Sequence, residues 1–296
     1  MENKTIRIKA PAKINLSLDI IGRKENGYHL LEMVMQSIDL YDTVCISAKK
    51  ADGFTVQISC DRDGIPTDER NIVYKAAAAF LKGETYAITI DIHKEIPDQA
   101  GMAGGSADAA AVLYGLNQLF DNRYDDKTLR EIGLTVGADV PYCLHGGTAF
   151  VSGIGEEIKA LPALTQGYIV GARPKVGIST KAAYQSFDDA NPGVVCLPSS
   201  PKTKQILSAV EQGDLSRVGE GLFNVFEDVC AVEQVQQLKN ELLSYGACGA
   251  LMTGSGSAVY GIFSRQADAK NAYELLKKNW PDAFFAAICG NLSKVD

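Results

Sequence analysis

The chain has 296 residues, enough for one large or two medium domains with real cores. Apolar content of 46% and charged content of 22% are ordinary for a soluble globular protein. A formal charge of −7 without a basic cluster argues against a nucleic-acid surface, and no run of residues is long and apolar enough to span a membrane.

Three scattered histidines make a zinc site a poor expectation. Cys45, Cys60, Cys143, Cys196, Cys230, Cys248 and Cys289 are odd in number and lack Cys-x-x-Cys pairs, which fits reduced thiols in a cytoplasmic protein. The N-terminus carries no apolar signal region.

Thr5 to Ala10 alternates as a strand, Pro11 interrupts it, and Ile14 to Ile20 resumes the period of two. Asn26-Gly27 is a turn signal. Leu30 to Ile38, Thr43 to Ser47 and Phe54 to Ser59 read as strands, and Ala-rich Asn71 to Leu81 as a helix. Tyr86 to His93 alternates as a strand. The stretch Pro97-Asp98-Gln99-Ala100-Gly101-Met102-Ala103-Gly104-Gly105-Ser106-Ala107-Asp108 follows it, and then Ala109, Val112, Leu113, Leu116, Leu119 and Phe120 trace one helical stripe. A side-chain-poor loop feeding a helix N-terminus presents bare N–H groups and the positive end of a dipole, which suits phosphate. The plainer alternative is a turn capped by Ser106, with Asp108 favouring the first helical turn. No Lys follows the glycines as in a P-loop, and Lys94-Glu95-Ile96-Pro97 spoils the dinucleotide fingerprint.

Lys127 to Val136 is a second helix ended by Gly137, and 146–153 reads as a strand between glycine turns. Beyond about residue 155 a buried strand at 168–172 precedes helical patterns at 180–187, 202–212, 214–229 and 232–245. A strand at 258–263, a helix at 267–278 and a strand at 283–289 complete the pattern of a split βαβ. The fold class is therefore α+β, in two domains, 1–160 and 161–296, that share a cleft.

Three further segments carry candidate chemistry. Lys13 lies among Ala12, Ile14 and Leu16, so its ammonium is either an edge charge or a held one. Asp139 sits among small and apolar residues in Gly137-Ala138-Asp139-Val140-Pro141. It either bonds local backbone in a turn or needs a cationic partner such as a lysine. Thr253-Gly254-Ser255-Gly256-Ser257 is a second glycine loop, whose simplest reading is a tight turn.

In this order, the Pro-x-Lys-x-Asn strand, the Pro-x-x-x-Gly-x-x-Gly-Gly-Ser loop and the late Thr-Gly-Ser-Gly-Ser loop resemble the GHMP kinases. Ala-Pro-Ala-Lys-Ile-Asn-Leu at 10–16, Gly27-Tyr28-His29, the sequence 101–110 and Gly-Ala-Asp-Val-Pro at 137–141 resemble the branch that acts on 4-diphosphocytidyl-2-C-methyl-D-erythritol. The resemblance runs from residue 7 to about 290.

It implies an N-terminal domain like ribosomal protein S5 domain 2 and a ferredoxin-like C-terminal domain. It also implies ATP as co-substrate with Mg²⁺, a CDP-bearing sugar alcohol as acceptor, and a monomer or homodimer. The reaction it implies is phosphorylation of the acceptor's 2-hydroxyl on the non-mevalonate route to isoprenoid precursors. By the same resemblance Asp139 is the base, Lys13 pairs with it and with the phosphate, and Asn15 sits beside them on the substrate. Pro97, Asp98, Gln99, Ala100, Gly101, Met102, Ala103, Gly104, Gly105, Ser106 and Ala107 wrap the phosphates, Ser106 also contacting Mg²⁺. Asn71 and Lys94 fall at the adenosine. Tyr28 and His29 hold cytosine, with Tyr184 on its other face, and Thr180, Gly254, Ser255 and Gly256 complete the acceptor site. Ala107 departs from the pattern, since many relatives carry a second serine there. Other alcohol kinases of the family, for mevalonate, phosphomevalonate or homoserine, and a non-catalytic binding protein on the same fold, are the competing readings.

Overall fold

Two long strands form the spine of the first half of the chain. In the computed structural model, which describes residues 4–193, 199–290 and 292–294, β1 (Lys4–Arg23) and β2 (His29–Lys50) pair antiparallel over almost their whole length. Pro11 does not break β1. It falls at a register shift between Pro11 and Ala12, and a bulge is where an interior strand tolerates a missing N–H. The two strands expected at 30–38 and 43–47 are likewise one strand, because β2 changes partner midway. Cys196 lies outside the described residues.

The chain continues through β3 (Thr55–Cys60), α1 (Ile72–Leu81), β4 (Tyr86–His93), α2 (Gly104–Leu119), α3 (Asp126–Val136), α4 (Val140–His145), β5 (Thr148–Gly153) and β6 (Glu157–Ala160). The first half of β2 pairs with β5 and the second half with β4. β3 lies parallel to β4, and β6 edges β5. Ile6, Ile8, Val44, Ile46, Ile88 and Ile90 are buried on one face, where α2 lies against β1 and β2. Each such fully buried side chain contributes about 1.5–3 kcal/mol. Gly115 is where α2 comes closest, since an added methyl would strike Ile46.

The second half runs β7 (Tyr168–Ala172), α5 (Thr180–Ala190), α6 (Pro201–Glu211), α7 (Leu215–Glu220), β8 (Phe223–Asn224), α8 (Val225–Val229), α9 (Glu233–Ser244), β9 (Gly249–Met252), β10 (Val259–Phe263), α10 (Gln266–Leu276), β11 (Phe284–Ala287) and β12 (Ser293–Lys294). The helix expected over 214–229 is broken, because Gly221 ends α7 and Phe223-Asn224 adds a short parallel strand to β1. A four-stranded antiparallel sheet in the order β11-β7-β10-β9, with α9 and α10 against it, gives the expected β-α-β-β-α-β layer. β8 and β12 both cross back to pair with β1, so that strand ties the two halves together.

Candidate active site

The segment between β4 and α2 leaves the sheet, so its backbone must find other partners. Two side chains supply them. Asp42 accepts from the N–H groups of Glu95 and Ile96 at 2.7 and 2.9 Å. Arg62 donates to the carbonyls of Lys94 and Ile96, both at 2.8 Å, and reaches Asp98 at 3.3 Å. Neither residue carries a sequence signal that marks it for this work.

The loop then turns into α2 through Ala103, whose φ of 59° is left-handed. Ala103 is the capping position and no side chain caps the helix, so Ser106 is not the N-cap. The reason is geometric: the helix opens at Gly104, two residues before Ser106, which is already inside the first turn. The N–H groups of that first turn have no partner within the helix. They border a pocket of about 630 Å³ whose walls include Pro97 to Ser106, Asn71, Arg70 and Pro66. Ala107 is fully buried and is not on its wall. Asn71 borders the pocket while its side chain caps α1, accepting from Val73 N at 3.0 Å and donating to the Pro66 carbonyl at 2.6 Å. Lys94 turns its ammonium inward, to Asp42 at 2.5 Å and Asp108 at 2.7 Å. Burial, and then the nearby charge of Asp42, hold the Asp108 carboxyl well above the usual carboxylate range against the pull of Lys94.

On the other side of the loop opens a larger cleft of about 880 Å³. Gln99, Gly101 and Ala103 belong to both pockets, so the loop is their common wall. Lys13 and Asp139 line this cleft together with Tyr28, His29, Tyr184, Thr180, Gly254, Ser255 and Gly256. β1 brings Lys13 there and hydrogen-bonds the loop, Lys13 N to Met102 O at 3.1 Å. Asp139 precedes α4, and its carboxylate makes no capping bond, so the local-turn alternative does not hold. The expected direct contact between Lys13 and Asp139 is absent: among the described residues, no ion pair within 4.0 Å joins them. The Lys13 ammonium instead donates to Asn15 Oδ1 at 2.7 Å. Asn15 itself is fully buried and off the cleft wall.

The two glycine loops touch backbone to backbone. A methyl on Gly101 (φ 71°) would overlap the Thr253 carbonyl oxygen, and one on Gly254 (φ 59°) would lie 2.8 Å from the Gly101 oxygen. Thr253 Oγ1 accepts from Asn15 N at 3.0 Å, and Asn224 Nδ2 donates to the carbonyls of Met252 and Gly254, both at 2.8 Å. Thr180 and Ser255 join across the cleft at 2.8 Å.

The aromatic wall differs from expectation. The rings of His29 and Tyr184 lie 4.7 Å apart, centre to centre, tilted by 32°. A base sandwiched between two rings needs about 7 Å. His29 and Tyr184 therefore form one wall of the cleft, which Tyr28, 59% exposed, also lines. Asp188, which no motif singles out, accepts from His29 Nε2 at 2.7 Å and pairs with Arg23 at 3.2 Å. Burial, and then the charge of Asp139, push the Tyr184 phenol up to about 12, so it stays neutral at physiological pH.

Residues 71–147 match the family described as GHMP kinases N terminal domain, and 206–282 match GHMP kinases C terminal. The chain is 43% identical over 287 residues to a 4-diphosphocytidyl-2-C-methyl-D-erythritol kinase of Clostridium tetani, covering 95% of this chain and 99% of that one. It is 40% identical to the enzyme of the same name from Alkaliphilus metalliredigens, covering 92% and 93%. Among solved structures it is similar to a 4-(cytidine 5′-diphospho)-2C-methyl-D-erythritol kinase at 29% identity and TM-score 0.77, covering 96% and 100%. A homoserine kinase from Cytophaga hutchinsonii shares the fold at TM-score 0.81 and 21% identity, covering 100% and 98%.

Proposed function

The chain belongs to the GHMP kinase family, and we propose that it transfers the γ-phosphoryl group of ATP to the 2-hydroxyl of 4-(cytidine 5′-diphospho)-2-C-methyl-D-erythritol. The observation that carries this reading is the shared loop wall. Phosphoryl transfer is mostly positioning and charge stabilisation. The reaction needs a donor pocket and an acceptor cleft that meet at one point, with a base and a cation beside it. Gly101 and Ala103 stand between the two spaces, and Lys13 and Asp139 line the acceptor side.

In this reading the N–H groups at the start of α2 hold the ATP phosphates. Asp139 takes the proton of the acceptor hydroxyl as its oxygen bonds to the γ-phosphorus. The bond from that phosphorus to the β–γ bridging oxygen breaks, and ADP leaves. Lys13 offsets the charge that develops on the transferred group. The wall of His29 and Tyr184 takes the cytosine, with Tyr28 on its open face. Thr180, Ser255 and the glycines at 254 and 256 border the rest of the acceptor.

Among the described residues, no three His, Cys, Asp or Glu side chains cluster to hold a metal ion. A magnesium ion arriving with ATP would neutralise phosphate charge, held by the phosphate oxygens and by Ser106, whose half-buried hydroxyl borders the donor pocket. We place the division of the chain at 160/161 and the protein in the cytoplasm. Among the described residues, no helix is long and apolar enough to cross a membrane.

The test is ATP consumption with the CDP-alcohol, with mevalonate derivatives and with homoserine, for the wild-type chain and for Asp139→Asn. Expected is turnover with the CDP-alcohol alone. Asp139→Asn should keep its fold and ATP binding and lose about 10²–10⁴-fold in kcat. Turnover with another alcohol and none with the CDP-alcohol defeats the acceptor assignment. Full activity of Asp139→Asn removes that residue from the base role.

A further inference from the structure

Among the described residues, Lys13 and Lys94 are the buried lysines, and the fold treats them differently. Lys94 faces two carboxylates, Asp42 at 2.5 Å and Asp108 at 2.7 Å, so its charge is cancelled where it sits. Lys13 is only 4% exposed, yet among the described residues its ammonium has a neutral partner alone, the amide oxygen of Asn15 at 2.7 Å. No carboxylate among the described residues lies within 4.0 Å of it. A buried ammonium ordinarily takes a carboxylate partner, because a lone charge out of water is costly. A carboxylate at residue 15 would meet that need and would also neutralise the cation. An amide oxygen orients the ammonium and leaves its charge free to act across the cleft, where low dielectric strengthens it.

The rest of Asn15 is fixed so that Oδ1 can do this. Its N–H donates to Thr253 Oγ1 at 3.0 Å, and its carbonyl accepts from the Tyr260 phenol at 2.7 Å. Oδ1 also accepts from Gly254 N at 3.1 Å, and Nδ2 lies 3.4 Å from Met33 Sδ. The same oxygen thus sets the Lys13 ammonium and the second glycine loop relative to one another.

We infer that Asn15 is a positioning residue, which holds the Lys13 ammonium without neutralising it and registers it against the Gly254 loop. This rests on the proposed role of Lys13 as the cation that offsets phosphoryl charge.

Asn15→Asp separates this role from a merely structural one. The aspartate has the same shape and accepts from the same donors, Lys13 Nζ, Gly254 N and Thr253 Oγ1, but adds a charge. If residue 15 served packing alone, the variant would keep its activity. Expected instead is a fall in kcat of about 10²-fold, as for removal of one charge-stabilising donor. KM for both substrates should change far less than kcat, and thermal unfolding should stay near that of the wild type. In a double-mutant cycle, Lys13→Met should lower kcat, and adding Asn15→Asp to it should lower kcat no further, since the charge to be cancelled is already gone.

Wild-type kcat in Asn15→Asp, or the same fractional loss with and without Lys13, overturns the inference. Should the aspartate variant not fold, Asn15→Ala enters the same cycle: its loss must also vanish in the Lys13→Met background, or the inference fails. The cycle is run with whichever alcohol the wild-type enzyme phosphorylates, or with water if none is accepted. Rejection of the CDP-alcohol therefore defeats the acceptor assignment alone and still decides this one.

Discussion

Gly101→Ala is the substitution whose cost the structure sets most directly. Gly101 has φ of 71°, in the left-handed region, where alanine costs about 1–2 kcal/mol more than glycine. The new methyl would overlap the Thr253 carbonyl oxygen and lie 3.0 Å from its carbon and 3.3 Å from Gly254 Cα. All three obstacles are backbone, so no side-chain rotation relieves them. Overpacking of this kind costs about 1–3 kcal/mol. Together the two effects come to about 2–5 kcal/mol, a large share of a typical stability of about 5–15 kcal/mol. Relief would require the loops to part, which removes Gly254 N from Asn15 Oδ1. The assay is denaturant unfolding with the slope checked for constancy, alongside KM for ATP and for the acceptor. Both KM values should rise, because both pockets use this wall. Gly254→Ala strikes the same contact, so the double variant should lose less than the two single losses summed. Gly105→Ala is the control. Its methyl meets only Ile72 at 3.6 Å, and alanine in a helix gains up to about 1 kcal/mol over glycine. That variant should be as stable as wild type or more so, with KM for ATP alone raised. A loss below about 1 kcal/mol for Gly101→Ala, or an equal loss for Gly105→Ala, would refute the argument from loop contact.

Lys94→Met leaves Asp42 and Asp108 buried without their cation and should destabilise the protein by about 3–5 kcal/mol in urea unfolding; an unchanged midpoint would mean that the triad does not hold the loop base. Folding holds the Asp108 carboxyl above its ordinary value near 3.8, so its contribution is fully present below that value and is lost as pH rises through the folded one. Wild type should therefore lose stability relative to Asp108→Asn from acidic to neutral pH, and a difference that stays flat across that range contradicts the burial argument. Tyr184→Ala removes the ring against His29 and should raise KM for the acceptor by about two- to tenfold, equivalent to about 0.5–1.5 kcal/mol, while KM for ATP stays unchanged; equal effects on both substrates would remove Tyr184 from the base wall.

Much of this was legible in the residues because it is local. Alternation over 86–93 and the 3.6-residue stripe after Asp108 give a strand and a helix, and the bare glycines between them give a side-chain-poor loop at the helix start, without knowledge of anything distant. The fold class followed from the order of such elements. What failed locally failed for tertiary reasons. Pro11 reads as a break until β2 is seen opposite a bulge. Ser106 reads as a cap until the helix is seen to open at Gly104.

The site divides the same way. Residue types in a family pattern named Lys13, Asp139 and the loops. They did not say that the Asn15 amide oxygen is the hydrogen-bond partner of the Lys13 ammonium. Nor did they say that Asp188 stands behind His29, or that Arg62 and Asp42 finish the backbone of 94–96. Those partners lie tens to hundreds of residues apart or face inward, and a chain records no pairing that only folding creates. Periodicity and glycine content determined the elements. Which hydrogen bonds and charges meet was decided by the packing of β1 against both glycine loops, because those interactions act only within a few ångströms.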